Sequence, residues 1–428
     1  MDFVGPDTHK WIVLVVFGGV YLYFVFFRRR RAVAIWMGIL VLFGAGIIGP
    51  REAAYLVNWN VIGIFAGTLL ITELFIYSKV PVLLSDLLVD RARTVGVAIL
   101  GVSILSSFIS IVVENVATVL IVAPIALEIA KRLKVSPVPF LISIAICSNL
   151  QGTATLVGDP PSMILAGYER MNFNDFFVYQ GKPGIFFAVQ LGAISSFAVL
   201  YLLFRRYKQR VIKIPVEEVS SWFPTGLLAA MIGGLAVSPR FDPDFRFLGG
   251  LICVAFGGIG LVWIFGRERG AGWTMLRRYD WETTFLLAGV FILVGALDHV
   301  GLINDLARGI GSIIGDRVFW TYTFIVWFSV SLSAFIDNVP YVTAMIPVTH
   351  VLAADLGVSR YLFVFGLLVG ACLGGNITPI GASANIVSVG LLKRNGYPIS
   401  FLDFVKIGLP FTMAAMLAGY LFIWWIWS

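Results

Sequence analysis

The chain is a succession of apolar runs separated by short polar stretches, many of them basic. The runs fall near 11–27, 32–49, 60–78, 94–130, 138–167, 183–204, 224–238, 247–265, 281–297, 318–351, 360–392 and 408–427. Most approach the ~20 apolar residues that a helix needs to cross a bilayer. Two of them, 94–130 and 318–351, are long enough for a pair of helices. The pattern predicts an all-α polytopic membrane protein.

The pattern also repeats. Glu114-Asn115-Val116-Ala117-Thr118, running on to Pro124, returns 223 residues later as Asp337-Asn338-Val339-Pro340-Tyr341, running on to Pro347. At the same offset, the stretch Gly152 to Ser162 returns as Gly375 to Asn385. Trp59 and Gly67 match Trp281 and Gly289 at an offset of 222. Glycine, proline, amides and carboxylates inside corresponding apolar segments of two halves point to a transporter's central binding site. No continuous helix survives Gly152, Gly158, Pro160 and Pro161 together, and unwound backbone at membrane depth must be covered by protein or line a wet cavity. The plainer alternative is that the glycines serve helix packing and the prolines only kink.

Basic residues set the orientation. Of 31 Lys and Arg, 22 lie in one set of loops, including Arg28 to Arg31, Lys131, Arg132, Arg205, Arg206, Arg210, Lys213, Arg277, Arg278, Lys393 and Arg394. The positive-inside rule makes that side cytoplasmic and both termini external. The pair at 94–130 then opens inward and the pair at 318–351 outward, so the repeats are inverted. An alternative is that the hairpin arms span the bilayer completely.

Composition agrees: 59% of residues are apolar and 13% charged, with mean hydropathy +0.92. A soluble domain has nearer 45–50% and 25%. The net charge of +7 therefore reflects loop placement and does not indicate nucleic-acid binding. Three cysteines, Cys147, Cys253 and Cys372, all within apolar segments, exclude a disulfide framework and show no metal-ligand spacing. The first apolar run ends in arginines with no small-residue cleavage site, so no cleavable signal peptide is expected.

Four acidic residues fall inside apolar segments: Glu73, Glu114, Asp159 and Asp337. No Lys or Arg stands near them in these segments, so each needs a proton, a cation or an amide donor. Glu114 and Asp337 hold equivalent positions and are the leading proton or cation carriers. Asp159 precedes Pro-Pro and could equally cap a helix; Glu73 has no acidic counterpart and suits a structural role. Asn115, Thr118, Asn149, Gly152, Thr153, Thr155, Asn338, Asn376, Thr378, Ser383 and Asn385 supply the candidate substrate-binding backbone, hydroxyl and amide groups. His9, His299 and His350 read as surface or packing residues, and Cys147 and Cys372 as small buried hydrophobes, although a thiolate would also suit As(III). Trp424, Trp425 and Trp427 read as an interfacial belt. No nucleotide-binding loop, nucleophile–base pair or metal motif appears, so neither an enzyme nor a cofactor is expected.

Residues 114–124 and 148–162 resemble the arsenite permease and P-protein branch of the ion transporter superfamily, and the likeness covers nearly the whole chain in span order. The resemblance implies the divalent anion–sodium symporter fold, usually a homodimer, in which a transport domain of two opposed hairpins and two broken helices slides against a scaffold. Carried onto this chain, scaffold helices occupy 1–93 and 224–316, transport elements 94–204 and 317–428, and a cytoplasmic linker 205–223. The hairpin-tip motifs fall on Glu114 to Thr118 and Asp337 to Tyr341. The dicarboxylate symporters carry Ser-Asn-Thr at these tips, whereas here a carboxylate precedes each Asn. Like charges at close range repel a dianion, which favours a neutral or cationic cargo. Arsenite or antimonite efflux by proton antiport in the cell (inner) membrane follows as the expectation, with sodium/proton exchange or an anion permease or channel as alternatives. The expected partners are the inorganic solute, protons, with sodium as the alternative coupling ion, the lipid bilayer and a second copy. The resemblance leaves room for a cytoplasmic ATPase subunit.

Overall fold

The computed structural model describes residues 6–27, 30–209 and 218–428. Arg28, Arg29, Arg210, Lys213 and the middle of the predicted linker lie outside the described residues. Among the described residues, α-helices form two sets of ten in the same order. The first set opens with α1 (Pro6–Phe26), α2 (Arg31–Gly44), α3 (Pro50–Leu56), α4 (Trp59–Tyr77) and α5 (Val80–Asp90). It continues with the hairpin α6 (Val95–Ser110) and α7 (Asn115–Arg132), the broken pair α8 (Val138–Gly152) and α9 (Pro160–Glu169), and α10 (Ile185–Phe204). The second set opens with α11 (Phe223–Val237), α12 (Leu248–Arg267), α13 (Arg269–Arg278), α14 (Trp281–His299) and α15 (Leu302–Ile314). It closes with the hairpin α16 (Val318–Ser333) and α17 (Asn338–Asp355), the broken pair α18 (Arg360–Gly374) and α19 (Ser383–Arg394), and α20 (Phe401–Trp427). The predicted spans find their helices.

The short helices α3, α5, α13 and α15 were not expected from hydropathy. They are brief or carry charges on one face, such as Asp305 and Arg308 of α15, so no long apolar window covers them. A two-residue antiparallel ladder, Val178–Tyr179 with Lys182–Pro183, joins α9 to α10.

The two sets are interlaced. α12 packs along α4, and α2 packs along α14, so each repeat supplies the partner of the other's fourth helix. A tie made twice fixes this register. The Arg31 N–H donates to Glu282 Oε1 at 2.9 Å, and the Gly250 N–H donates to Asn60 Oδ1 at 2.6 Å. Gly67 permits the closest approach: a Cβ there would stand 2.1 Å from the Cys253 carbonyl carbon.

The remaining elements form a second group. α6 packs on α8, α16 on α18 and α10 on α20, while α7 lies on α19 and α9 on α17 across the repeats. Helices α6 and α16 have 16 residues each, about 24 Å at 1.5 Å per residue, short of a ~30 Å hydrocarbon core. The chain turns back at residues 111–114 and 334–337, so both hairpins are re-entrant. Among the described residues, six helices, including α4, α10, α12, α14 and α20, are long and apolar enough to cross a membrane.

The tryptophan belt is corrected in part. Trp425 is 79% exposed, but Trp427 is buried against Tyr361 and Phe365, and Trp424 packs on Phe319 and Tyr322. The 3.6-residue period carries two of these three rings inward to tie α20 to its neighbours.

Candidate functional site

Each hairpin tip meets the helix break of its own repeat, and the same bonds build both meetings. Ser110 donates to Asn115 Oδ1 at 2.7 Å and to the Ser148 carbonyl at 2.9 Å. Ser333 donates to Asn338 Oδ1 and to the Ala371 carbonyl in the same way. Thr155 donates to the Ile111 carbonyl, and Thr378, its counterpart, to the Ala334 carbonyl. These bonds satisfy carbonyls that the turn would leave bare in an apolar interior. Contact is tight enough to require glycine. A Cβ on Gly158 would stand 2.5 Å from the Gly152 carbonyl oxygen and 2.7 Å from that of Ser110; on Gly381 it would meet Gly375 at 2.5 Å and Ala334 at 2.9 Å.

Three amides join the halves at the centre. Asn149 Nδ2 donates to Asn376 Oδ1 at 2.8 Å and to Asn385 Oδ1 at 3.0 Å. Asn376 Nδ2 donates to the Ile146 carbonyl at 3.1 Å, and Asn385 Nδ2 to the carbonyls of Gly375 and Thr378, each at 2.9 Å.

A cavity of about 110 Å³ lies where these elements converge, lined by Arg31, Phe65, Leu69, Glu114, Asn115, Asn149, Asp159, Asp280, Thr283, Asp337, Asn338 and Ser383, among others. Of the sequence-predicted residues, Glu114, Asn115, Asn149, Asp159, Asp337, Asn338 and Ser383 therefore come together. Thr118, Gly152, Thr153, Thr155, Asn376, Thr378 and Asn385 stand behind them. Their groups are engaged by backbone or by one another, as in the bonds from Thr153 to the Asn149 carbonyl (3.2 Å) and from Thr118 to that of Val113 (3.4 Å). Cys147 and Cys372 are buried and do not line the cavity. Glu73 is half-buried and also lies off the cavity.

The carboxylates differ in their partners. Glu114 accepts the Ala117 N–H at 3.0 Å and Asp337 the Val339 N–H at 3.1 Å, so each caps the second arm of its hairpin. Asp159 sits at the cap position of α9 but makes no side-chain cap bond and faces the cavity instead. The expectation that no Lys or Arg accompanies the buried acids is corrected at Asp337. Arg31 Nη1 is 2.5 Å from Asp337 Oδ2, with the two side chains only 12% and 15% exposed. Arg31 belongs to a loop run of arginines in the sequence, and only packing of α2 on α14 turns it into the site. Asp280, also unforeseen, enters from the cap of α14, where it accepts the Thr283 N–H at 2.9 Å.

A second polar cluster was missed. Glu169, with a fully buried side chain, ends α9 and meets His350 Nε2 from α17 and, at 2.8 Å, Arg360 Nε from α18. The sequence offered no signal, because 181 residues separate Glu169 from His350. His350 therefore meets a buried carboxylate, beyond the surface or packing role expected of it. His299 lies 3.3 Å from Glu52. His350 and Arg360 of this cluster line a crevice of about 590 Å³ between α9, α17 and α18 on one side and α14 and α15 on the other. Among the described residues, no group of three or more His, Cys, Asp or Glu side chains could hold a metal ion.

Comparison with known proteins decides the family. A citrate-transporter model, CitMHS, matches residues 21–370. The chain belongs to the CitMHS citrate-transporter family. Its similarity to two uncharacterized transporters of Mycobacterium tuberculosis is 32% identity for Rv2685, over 90% of this chain and 91% of that one, and 30% for Rv2684, over 96% and 97%. It is 23% identical to the human P protein over 96% of this chain and 59% of that protein. Among solved structures, the YdaH transporter of Alcanivorax borkumensis aligns with TM-score 0.60 at 15% identity, over 98% of this chain and 97% of that one. MtrF of Neisseria gonorrhoeae aligns with TM-score 0.55 at 12% identity, over 99% and 96%. These two likenesses bear on fold alone. The family assignment makes the chain a membrane transporter; the arsenite permease in particular is not among the matches described.

Proposed function

We propose that this CitMHS-family member is a secondary transporter that exports a small neutral oxyacid, arsenite or antimonite, from the cytoplasm in exchange for protons. The observation that carries this reading is the cavity's charge. Glu114, Asp159, Asp280 and Asp337 face one cation, Arg31. Such a site attracts protons or cations and repels a polyanion. Its size points the same way: about 110 Å³ is less than the ~150 Å³ of an engineered cavity that takes benzene. A trihydroxide is smaller than benzene, citrate larger. The Asn115, Asn149 and Asn338 amides and the Ser383 hydroxyl supply the hydrogen bonds a trihydroxide needs.

In this reading α6–α10 and α16–α20 are the transport body, and α1–α5 and α11–α15 the scaffold. The cavity is walled by both, at the ends of α2 and α14 beside Arg30, Arg277 and Arg278. The basic-loop rule makes that end cytoplasmic, and the state inward-facing. The crevice between α9 and α17 and the opposite ends of α14 and α15 marks the outer side of the boundary along which an elevator stroke would run.

The family's description favours a second reading, citrate transport, and the Arg31 guanidinium could meet one carboxylate of such a cargo. In this acidic site citrate would have to enter protonated or paired with a cation.

Everted membrane vesicles with an imposed proton gradient and no sodium test the proposal. Arsenite accumulation that a protonophore abolishes supports it. Accumulation of citrate instead, or proton movement driven only by sodium, overturns the cargo assignment.

A further inference from the structure

Glu114 and Asp337 occupy equivalent tips, yet among the described residues only Asp337 has an ion partner. Arg31 comes from α2, outside the hairpin, and is fixed there by its backbone bond to Glu282. The same tie in the other repeat is made by Gly250, which has no side chain. The arrangement therefore provides one cationic post, at one mouth, for one of two carriers. The post is not saturated, because Arg31 Nε is buried without a partner. Tyr21 of α1 braces the same tip by donating to the Pro340 carbonyl at 2.5 Å.

We propose that Arg31 is a tethered counter-ion that displaces the coupling proton from Asp337 each time the second hairpin docks against α2. This rests on the proton-coupled elevator reading above. A guanidinium keeps its proton at any physiological pH, so Arg31 gains from Asp337 only when Asp337 is ionised. On docking, the O–H bond of protonated Asp337 breaks, the electron pair stays on the carboxylate, and the proton passes to cavity water. On undocking, Asp337 leaves its counter-ion behind and takes up a proton in return. Glu114 has no such post and must exchange its proton with solvent or cargo alone. Arg31 is thus a positioning residue that makes proton release obligatory at this face.

The ionisable groups around Asp337 are Tyr21 on α1, Arg31 on α2, Asp280 and Glu282 on α14, Glu114 on the first tip and Asp159 before α9. A pH effect must therefore be assigned with variants.

The test reads position, not cargo. Spin labels on cysteines introduced at Thr274 of α13 and Arg394 of α19, both exposed, report the distance between the two helix groups in the full-length protein reconstituted in lipid. The three native cysteines are buried. Between about pH 3 and pH 8, a range that spans ordinary carboxylate titration, the docked distance should dominate at the alkaline end and give way to a second distance on acidification. Arg31→Gln should cut the docked-to-undocked ratio at neutral pH at least about fivefold. Asp337→Asn should do the same and flatten the pH response, while Arg31→Lys should retain most of it. The double variant Arg31→Gln/Asp337→Asn, which leaves no unpaired charge, guards against misfolding of the singles and should also lose pH sensitivity. A wild-type distribution in Arg31→Gln, or one distance at every pH in every protein, overturns the proposal. If arsenite fails as cargo while these distances shift as stated, the cargo assignment falls and the role of Arg31 stands.

Discussion

Asn149 of the first repeat donates to Asn376 of the second at 2.8 Å, so the two broken helices are bonded to each other through fully buried amides. Asn149 also serves Asn385, and one side chain thus satisfies acceptors on both sides of the second break. Asn149→Ala strands both acceptors in an apolar interior, at a cost of roughly 1–3 kcal/mol for each unsatisfied group. We expect a clearly lowered unfolding midpoint in detergent, measured by scanning fluorimetry. An unchanged midpoint would mean that water or backbone replaces the amide.

Glycine at the breaks is required by contact, whereas Gly101 of α6 is not. Gly158→Ala and Gly381→Ala each push a methyl to 2.5 Å from a carbonyl oxygen. Overpacking of this kind costs typically 1–3 kcal/mol, and folded yield should fall. Gly101 of α6 has open space around its Cβ position. Gly101→Ala should therefore be neutral or slightly stabilising, by up to about 1 kcal/mol. Size-exclusion yield of the three variants checks the ordering.

The two hairpin carboxylates should fail differently. Gln at position 114 can still accept the Ala117 N–H, so Glu114→Gln should keep its unfolding midpoint while coupled transport drops at least about tenfold, or 1.4 kcal/mol. Asp337→Asn leaves Arg31 largely buried and uncompensated, and breaking a buried pair costs about 3–5 kcal/mol. That variant should lose both transport and thermal stability. Equal stability in the two would remove the distinction drawn between them.

Much of this architecture was legible in the sequence because the bilayer imposes few solutions. Apolar runs set the spans, and the repeated Glu-Asn and Asp-Asn tips and Gly-Pro breaks set the hairpins and interruptions. The roles within the site were harder to read. Thr155, Thr378, Asn376 and Asn385 have the right chemistry for a ligand, but a turn at membrane depth has bare carbonyls of its own, and these residues satisfy them first. Arg31 and Asp280 looked like loop charges, since nothing in their neighbourhood shows that α2 and α14 pack side by side. Glu169, His350 and Arg360 fell in three separate segments with no shared pattern. Linear motifs mark where a break occurs, and only packing shows which groups remain free beside it.

The Glu169 cluster makes an ordered prediction, because its members differ in burial. Glu169 is completely buried, whereas the His350 and Arg360 side chains are 28% and 47% exposed. At the equivalent positions 223 residues away the other repeat has Leu392, Leu127 and Pro137, so the fold tolerates an apolar contact there. Removing both partners in His350→Ala/Arg360→Ala strands a carboxylate in the interior and should be the most damaging change, at several kcal/mol. Glu169→Leu removes the buried carboxylate and leaves His350 and Arg360, which can still reach water. It should cost far less, within about 1–2 kcal/mol, as expected when an apolar residue replaces a buried ion. Unfolding midpoints of the two variants in one detergent decide the matter. If Glu169→Leu is the worse of the two, the carboxylate is needed for more than satisfying its neighbours, and the cluster is more than a staple between α9, α17 and α18.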